Sequence, residues 1–162
     1  MAGKKHGTGT PATLALEAAG VPFTLHAYEH DPRNTNFGLE AAEALGFSPA
    51  QVFKTLMVQL ADGMAVAIVP VSGTLDLKAA ASAFGQKKAS MADPAAAQRR
   101  TGYVLGGISP LGQRTPSPTV LDDSAFGHDT ILVSGGRRGL DVELSPEDLT
   151  RLTGAVRATI RA

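Results

Sequence analysis

Apolar and polar positions along the chain change period several times, and each change marks an element. Thr10-Pro11 reads as an N-cap followed by proline in the first helical turn, and Gly20 stands where a helix-ending glycine belongs. A short helix carrying Leu14 and Leu16 is predicted between them. Phe23–Tyr28 alternates, with Phe23, Leu25 and Ala27 on one side and Thr24, His26 and Tyr28 on the other, which is the period of a strand. Asp31-Pro32 breaks it. Leu39–Leu45 is rich in alanine and glutamate and closes on Gly46, giving a second helix. Ser48–Gln51 has capping-box spacing and is expected to start one further helical turn. Val52–Leu60 and Met64–Val71 flank Asp62-Gly63, the strongest hairpin signal in the chain. Asp76–Phe84 reads as a helix ended by Gly85, and Asp93-Pro94 opens another ended by Gly102. Short strands are expected at Tyr103–Leu105, Thr119–Leu121, Thr130–Ser134 and Leu140–Leu144, the last two joined by a hairpin across Gly135–Gly139. Ser145-Pro146-Glu147-Asp148 caps a final helix running toward Thr153.

Helices and strands interleave, yet several neighbouring strands are hairpins. This predicts an α/β (α+β) fold with a mixed, largely antiparallel sheet flanked by helices. Neither an internal repeat nor a long linker divides the 162 residues. One domain over residues 11–162 is expected, preceded by a loose tail over 1–10. A chain of this length buries roughly 68–70% of its unfolded surface. Cysteine is absent, so neither a disulfide framework nor a thiolate metal cage is available, as suits a cytoplasmic protein. No apolar run approaches the roughly 20 residues needed to span a bilayer, and the opening MAGKKHGTGT lacks the apolar core of a secretory signal.

Charge narrows the choice of partners. The formal net charge is zero and the pI is about 6.9, whereas proteins that hold nucleic acid by its phosphates alone are strongly basic. The basic residues come as the doublets Lys87-Lys88, Arg99-Arg100 and Arg137-Arg138. Solvated surface charge is the ordinary reading of each, so any grip on RNA is local or shared with a partner.

Three segments look built for chemistry. In Thr101–Gly112 (TGYVLGGISPLG) an apolar run meets paired glycines, which let backbone N–H groups approach a ligand, and Pro110 locks the turn that follows. In Val52–Val58 (VFKTLMV), Lys54 shares a strand face with Val52, Leu56 and Val58, a costly place for a cation unless it is paired or reaches water. In Val133–Leu144 (VSGGRRGLDVEL), Ser134 and Asp141 flank the glycine-arginine turn, where they can act as turn caps or face a ligand. Other patterns fall short. His26-Ala27-Tyr28-Glu29-His30 spells an inverted zinc motif, but that motif needs a helix, and on a strand the histidines stand roughly 13 Å apart. Gly107–Leu111 misses the last glycine of a nucleophile elbow, leaving Ser109 as a turn residue. Gly135–Gly139 lacks the spacing of a dinucleotide loop.

In order and spacing, LHAYEHDP, TNFG, VFKTLMV, LDLKAAA, MADPAAAQRRTGY, GGISPLG and VSGGRRGLDVEL resemble the YbaK family of aminoacyl-tRNA editing proteins, the Cys-tRNA(Pro) deacylases. The likeness runs from about Leu14 to Leu152, is loosest over Gln113–Thr130 and is absent from the tail. It implies a YbaK-like single domain with a partly closed barrel, similar to the editing insertion of bacterial prolyl-tRNA synthetase. By the same resemblance Lys54 matches the essential lysine, and Tyr28, Gly106, Ser134 and Asp141 match positions lining the substrate pocket. No cofactor or metal is implied; the partners are the acceptor end of a mischarged tRNA and prolyl-tRNA synthetase. The need for editing follows from binding arithmetic, since one methylene is worth only about 1–3 kcal/mol in an apolar pocket. With no obvious protein nucleophile, cleavage by the substrate's own thiol is the expected mechanism. Cys-tRNA(Cys) as a further substrate, Ala-tRNA(Pro) deacylation by water, a non-catalytic tRNA- or synthetase-binding module and a metal-dependent hydrolase remain as alternatives.

Overall fold

Capping chemistry sets the helix limits in the computed structural model, which describes residues 9–162. All but the last two residues of the expected tail lie outside that range. Helix α1 (Pro11–Ala19) starts from Thr10, whose hydroxyl accepts the Thr13 N–H, and ends at Gly20 in the left-handed conformation. Thr10 also donates to the Gly135 carbonyl, tying the helix to the far end of the chain. Asn36, Asp76, Asp93 and Ser145 cap α2 (Phe37–Leu45), α3 (Leu77–Ala83), α4 (Pro94–Thr101) and α5 (Pro146–Thr153) in the same way. Each side-chain oxygen satisfies an N–H that the first helical turn leaves unpaired.

The strands form two sheets. In one, β1 (Thr24–Ala27) pairs with β7 (Leu140–Leu144), which pairs with β6 (Ile131–Arg137), all antiparallel. The other has the order β4-β2-β3-β5-β8: β2 (Phe53–Leu60) and β3 (Gly63–Pro70) form the expected hairpin, with β4 (Ser90–Met91) on the outer edge of β2. Beyond β3 lie β5 (Thr119–Asp122) and β8 (Val156–Ala158), both parallel. An isolated parallel bridge between Val52 and Leu132 joins the sheets at one corner. The mixed α/β architecture is therefore as expected, in two linked sheets and without a closed barrel.

The main core lies between the sheets and gathers Phe53, Met57, Val66, Ile68, Leu121, Ile131, Val133, Val142 and Leu144 with Leu16 of α1 and Leu149 of α5. Val58, Leu60, Ala67, Val69 and Val120 pack with Ala80 of α3 in a second cluster. A third, small cluster sets Ala41 and Ala42 of α2 on Val52 and Leu132. Strand β7 thus divides by parity: Leu140, Val142 and Leu144 are buried on one side, while Asp141 and Glu143 project to the other.

Several expectations need correction. Ser48–Gln51 is a single hydrogen-bonded turn, not a helical one, with Gln51 N–H donating to the Ser48 carbonyl. Tyr103–Leu105 is a loop: the Leu105 N–H goes to the Gln98 side chain instead of a strand neighbour, and Val104 and Leu105 stay exposed. In β1 the alternation holds but its inward side is the polar one. Leu25 is 38% exposed, while His26 bonds Glu143 and Tyr28 turns inward. Strands β4 and β8 were not expected.

Candidate active site

The polar face of the small sheet, the start of α2, the first half of β2 and the Leu105–Ile108 loop enclose a cavity of about 530 Å³. That lies within the usual range of small-molecule sites, about 300–1,000 Å³. Lys54, Tyr28, Gly106, Ser134 and Asp141 all line it, so residues spread from the first strand to the last hairpin meet in one place.

Asp141 sits opposite both Ser134 and His26 in the sheet register. It is 6% exposed, and among the described residues no side chain or N–H bonds its carboxylate. Burial pushes its pKa up to about 7, because the charged form has lost water and gained no partner. Tyr28 is likewise pushed up to about 12, first by burial and then by the nearby Asp141 carboxylate. The Ser134 hydroxyl accepts the Gly136 N–H at 3.2 Å, across the bulge that interrupts the β6–β7 register.

Lys54 enters from β2, partly buried, with no ion pair among the described residues. Its Cβ lies beside the start of α2, 3.9 Å from where a side chain on Gly38 would begin. That side chain would also overlap Val71, so glycine is needed for α2 to approach the hairpin. Gly38, Phe37 and Thr55 are cavity residues that local sequence pattern does not mark. Phe37 lines the cavity and packs under Gly106, where a Cβ would fall 2.8 Å from its ring. Thr55 also lines the cavity, and its buried hydroxyl has no hydrogen-bond partner among the described residues. The neighbouring segment TNFG belongs to the resemblance, which was the available signal for Phe37 and Gly38; nothing marked Thr55.

Residues outside the cavity clarify the remaining motifs. Ser109 is fully buried and its hydroxyl accepts the Leu111 N–H, as a turn residue does. His26 bonds Glu143 at 2.8 Å, and His30 bonds Glu40 at 2.7 Å; the histidines serve different carboxylates.

An unpaired buried carboxylate, an unpaired lysine and the Gly106 N–H, which has no partner among the described residues, suit a small ligand bearing both a cation and oxygen acceptors. Over residues 38–152 the chain matches the family described as the aminoacyl-tRNA editing domain, and it belongs to that family. It is 38% identical over 162 residues to EbsC of Enterococcus faecalis, a provisionally named Cys-tRNA(Pro)/Cys-tRNA(Cys) deacylase, covering 99% of this chain and 98% of that one. A solved structure described as a provisional trans-editing enzyme for prolyl tRNA synthetase superposes with a TM-score of 0.81 at 28% identity, covering 94% of this chain and 95% of that one. A second, a hypothetical protein, superposes at 0.83 with 25% identity, covering 94% and 99%.

Proposed function

We propose that the chain is a trans-editing aminoacyl-tRNA deacylase that clears cysteine from Cys-tRNA(Pro), with Lys54, Tyr28, Gly106, Ser134 and Asp141 forming its site. Family membership and the likeness to EbsC support deacylation. The observation that carries the mechanism is a charged cavity without an activated protein nucleophile. The chain has no cysteine, no histidine among the described residues lines the cavity, and the Ser134 hydroxyl makes no bond to Asp141. A hydroxyl needs such a base to attack.

The attacking group is then the substrate's own sulfur. Its bond to the ester carbonyl carbon forms as the bond from that carbon to the ribose oxygen breaks. The thiol proton ends on the departing oxygen, giving a small thiolactone and a free tRNA 3′ end. Asp141, with Tyr28 and Ser134 beside it, holds the α-ammonium. The Gly106 N–H receives the carbonyl oxygen as it gains charge, and Lys54 anchors the terminal nucleotide or the ester. The partners are the acceptor end of the mischarged tRNA and, because the neutral chain cannot grip phosphates strongly, prolyl-tRNA synthetase as a source of tRNA selectivity.

A panel of Cys-, Ser- and Ala-tRNA(Pro) tests the chemistry. Cys-tRNA(Pro) is expected to be cleaved and Ser-tRNA(Pro) to survive, with Lys54→Ala slowing cleavage by about 100-fold or more while circular dichroism is unchanged. Equal cleavage of the cysteinyl and seryl esters would exclude thiol attack. Asp141 favours a second reading: a carboxylate titrating at about 7 can serve as a base for water, which predicts cleavage of Ala-tRNA(Pro) as well.

A further inference from the structure

The doublet Arg137-Arg138 divides its work. Arg138 Nε donates to the Leu105 carbonyl at 2.8 Å, and its guanidinium carbon lies 4.9 Å from the centroid of the Phe37 ring. Leu105 and Phe37 both line the cavity, from different elements. Under this contact the glycine pair is tightly seated. A Cβ on Gly106 would fall 2.8 Å from the Phe37 ring, and one on Gly107 would fall 2.7 Å from the Arg137 Cα. Ile108 anchors one end of the loop in the main core, but the Leu105 end is lightly held. Val104 is 54% and Leu105 40% exposed, and its own bonds are Leu105 N–H to the Gln98 side chain and Gly107 N–H to the Val104 carbonyl.

We propose that Arg138 is a positioning residue for the editing reaction, a strap from the tip of the β6–β7 hairpin that fixes Gly106 against the start of α2. This rests on the deacylase reading above. Arginine suits the task where lysine does not, because one planar group must both face an aromatic ring and present an N–H at its edge. The strap acts on loop geometry, so it governs the N–H donor at Gly106 and leaves tRNA capture alone.

The test uses the full chain with Arg138→Ala, Arg138→Lys and Phe37→Leu, and the Arg138→Ala/Phe37→Leu double variant. On Cys-tRNA(Pro), kcat is expected to fall about 10-fold in both arginine variants, with KM and its salt dependence unchanged. The double variant should be no slower than the worse single one. Amide exchange at Leu105 and Gly107 should quicken in both arginine variants while the melting temperature holds, a readout independent of activity. A raised KM with a weaker salt dependence in Arg138→Ala, restored by lysine, would make Arg138 a tRNA phosphate contact and overturn the proposal. Unchanged exchange at the loop overturns it too. Faster exchange in a chain that cleaves no aminoacyl-tRNA in its native form would instead sink the deacylase reading and leave the strap standing.

Discussion

Asp122 and Asp141 are the same residue type at nearly the same burial, 0% and 6% exposed, and they titrate in opposite directions. Burial pushes both carboxyls up. At Asp122 the Ser124 hydroxyl and the N–H groups of Ser124, Ile160 and Arg161 outweigh it and hold the group below its usual range. Asp141 has no such donors among the described residues. Thr55 shows the same contrast for a neutral group, since its buried hydroxyl on the Phe53–Met57 side of β2 finds no partner among the described residues. An unmade hydrogen bond of this kind costs about 1–3 kcal/mol, so Thr55→Val should raise the melting temperature, measured by calorimetry without ligand. A fall would mean the hydroxyl is satisfied. Neither environment is written in VFKTL or GLDVE; each depends on which donors the rest of the chain brings near.

The Leu105–Ile108 loop shows how a segment with strand-like composition becomes a cavity wall. Gly106 has φ 83° and no room for a Cβ. Gly106→Ala should therefore cost about 1–3 kcal/mol in urea denaturation and lower deacylation more than it lowers stability. Retained turnover in a folded variant would remove this loop from the reaction. Local patterns gave sound limits for the helices, because caps act within a few residues. They failed for Tyr103–Leu105, where a side-chain acceptor from α4 displaced sheet pairing. Alternation marks β1 but not its inward side, and the polar side faces in, with Glu143 as partner for His26 and the cavity for Tyr28.

The two carboxyls also shape the stability of the whole fold. Asp141, raised from 3.8 to about 7, contributes stability that is fully present below its unfolded value and is lost as pH rises through about 7. Asp122, lowered from 3.8, contributes stability above that value that is lost as pH falls through its folded value. Melting temperature should thus decline on both sides of a maximum at about pH 4, the unfolded value that the two carboxyls share. Asp141→Asn should flatten the decline on the neutral side, gaining up to about 4 kcal/mol at pH 8 relative to pH 4. Parallel melting curves for the native chain and the variant across that range would refute the buried, unpaired state of Asp141.

Residues close together in the chain sufficed to mark the helix ends, the hairpins across Asp62-Gly63 and Gly135–Gly139, and the mixed α/β class. Their forces, capping bonds and turn preferences, reach only a few positions. Lys54, the Gly106-Gly107 pair, Ser134 and Asp141 stand out locally, but Tyr28 and the grouping of all five around one cavity enter only through seven ordered motifs, a likeness no single piece carries. Tertiary contact alone decided that two sheets meet at Val52 and Leu132, that His26 serves Glu143, that Asp141 goes unpaired and that Arg138 reaches Leu105. Those outcomes join residues 33 to 117 positions apart, where the packing of the closed fold selects the partner and local pattern has no purchase.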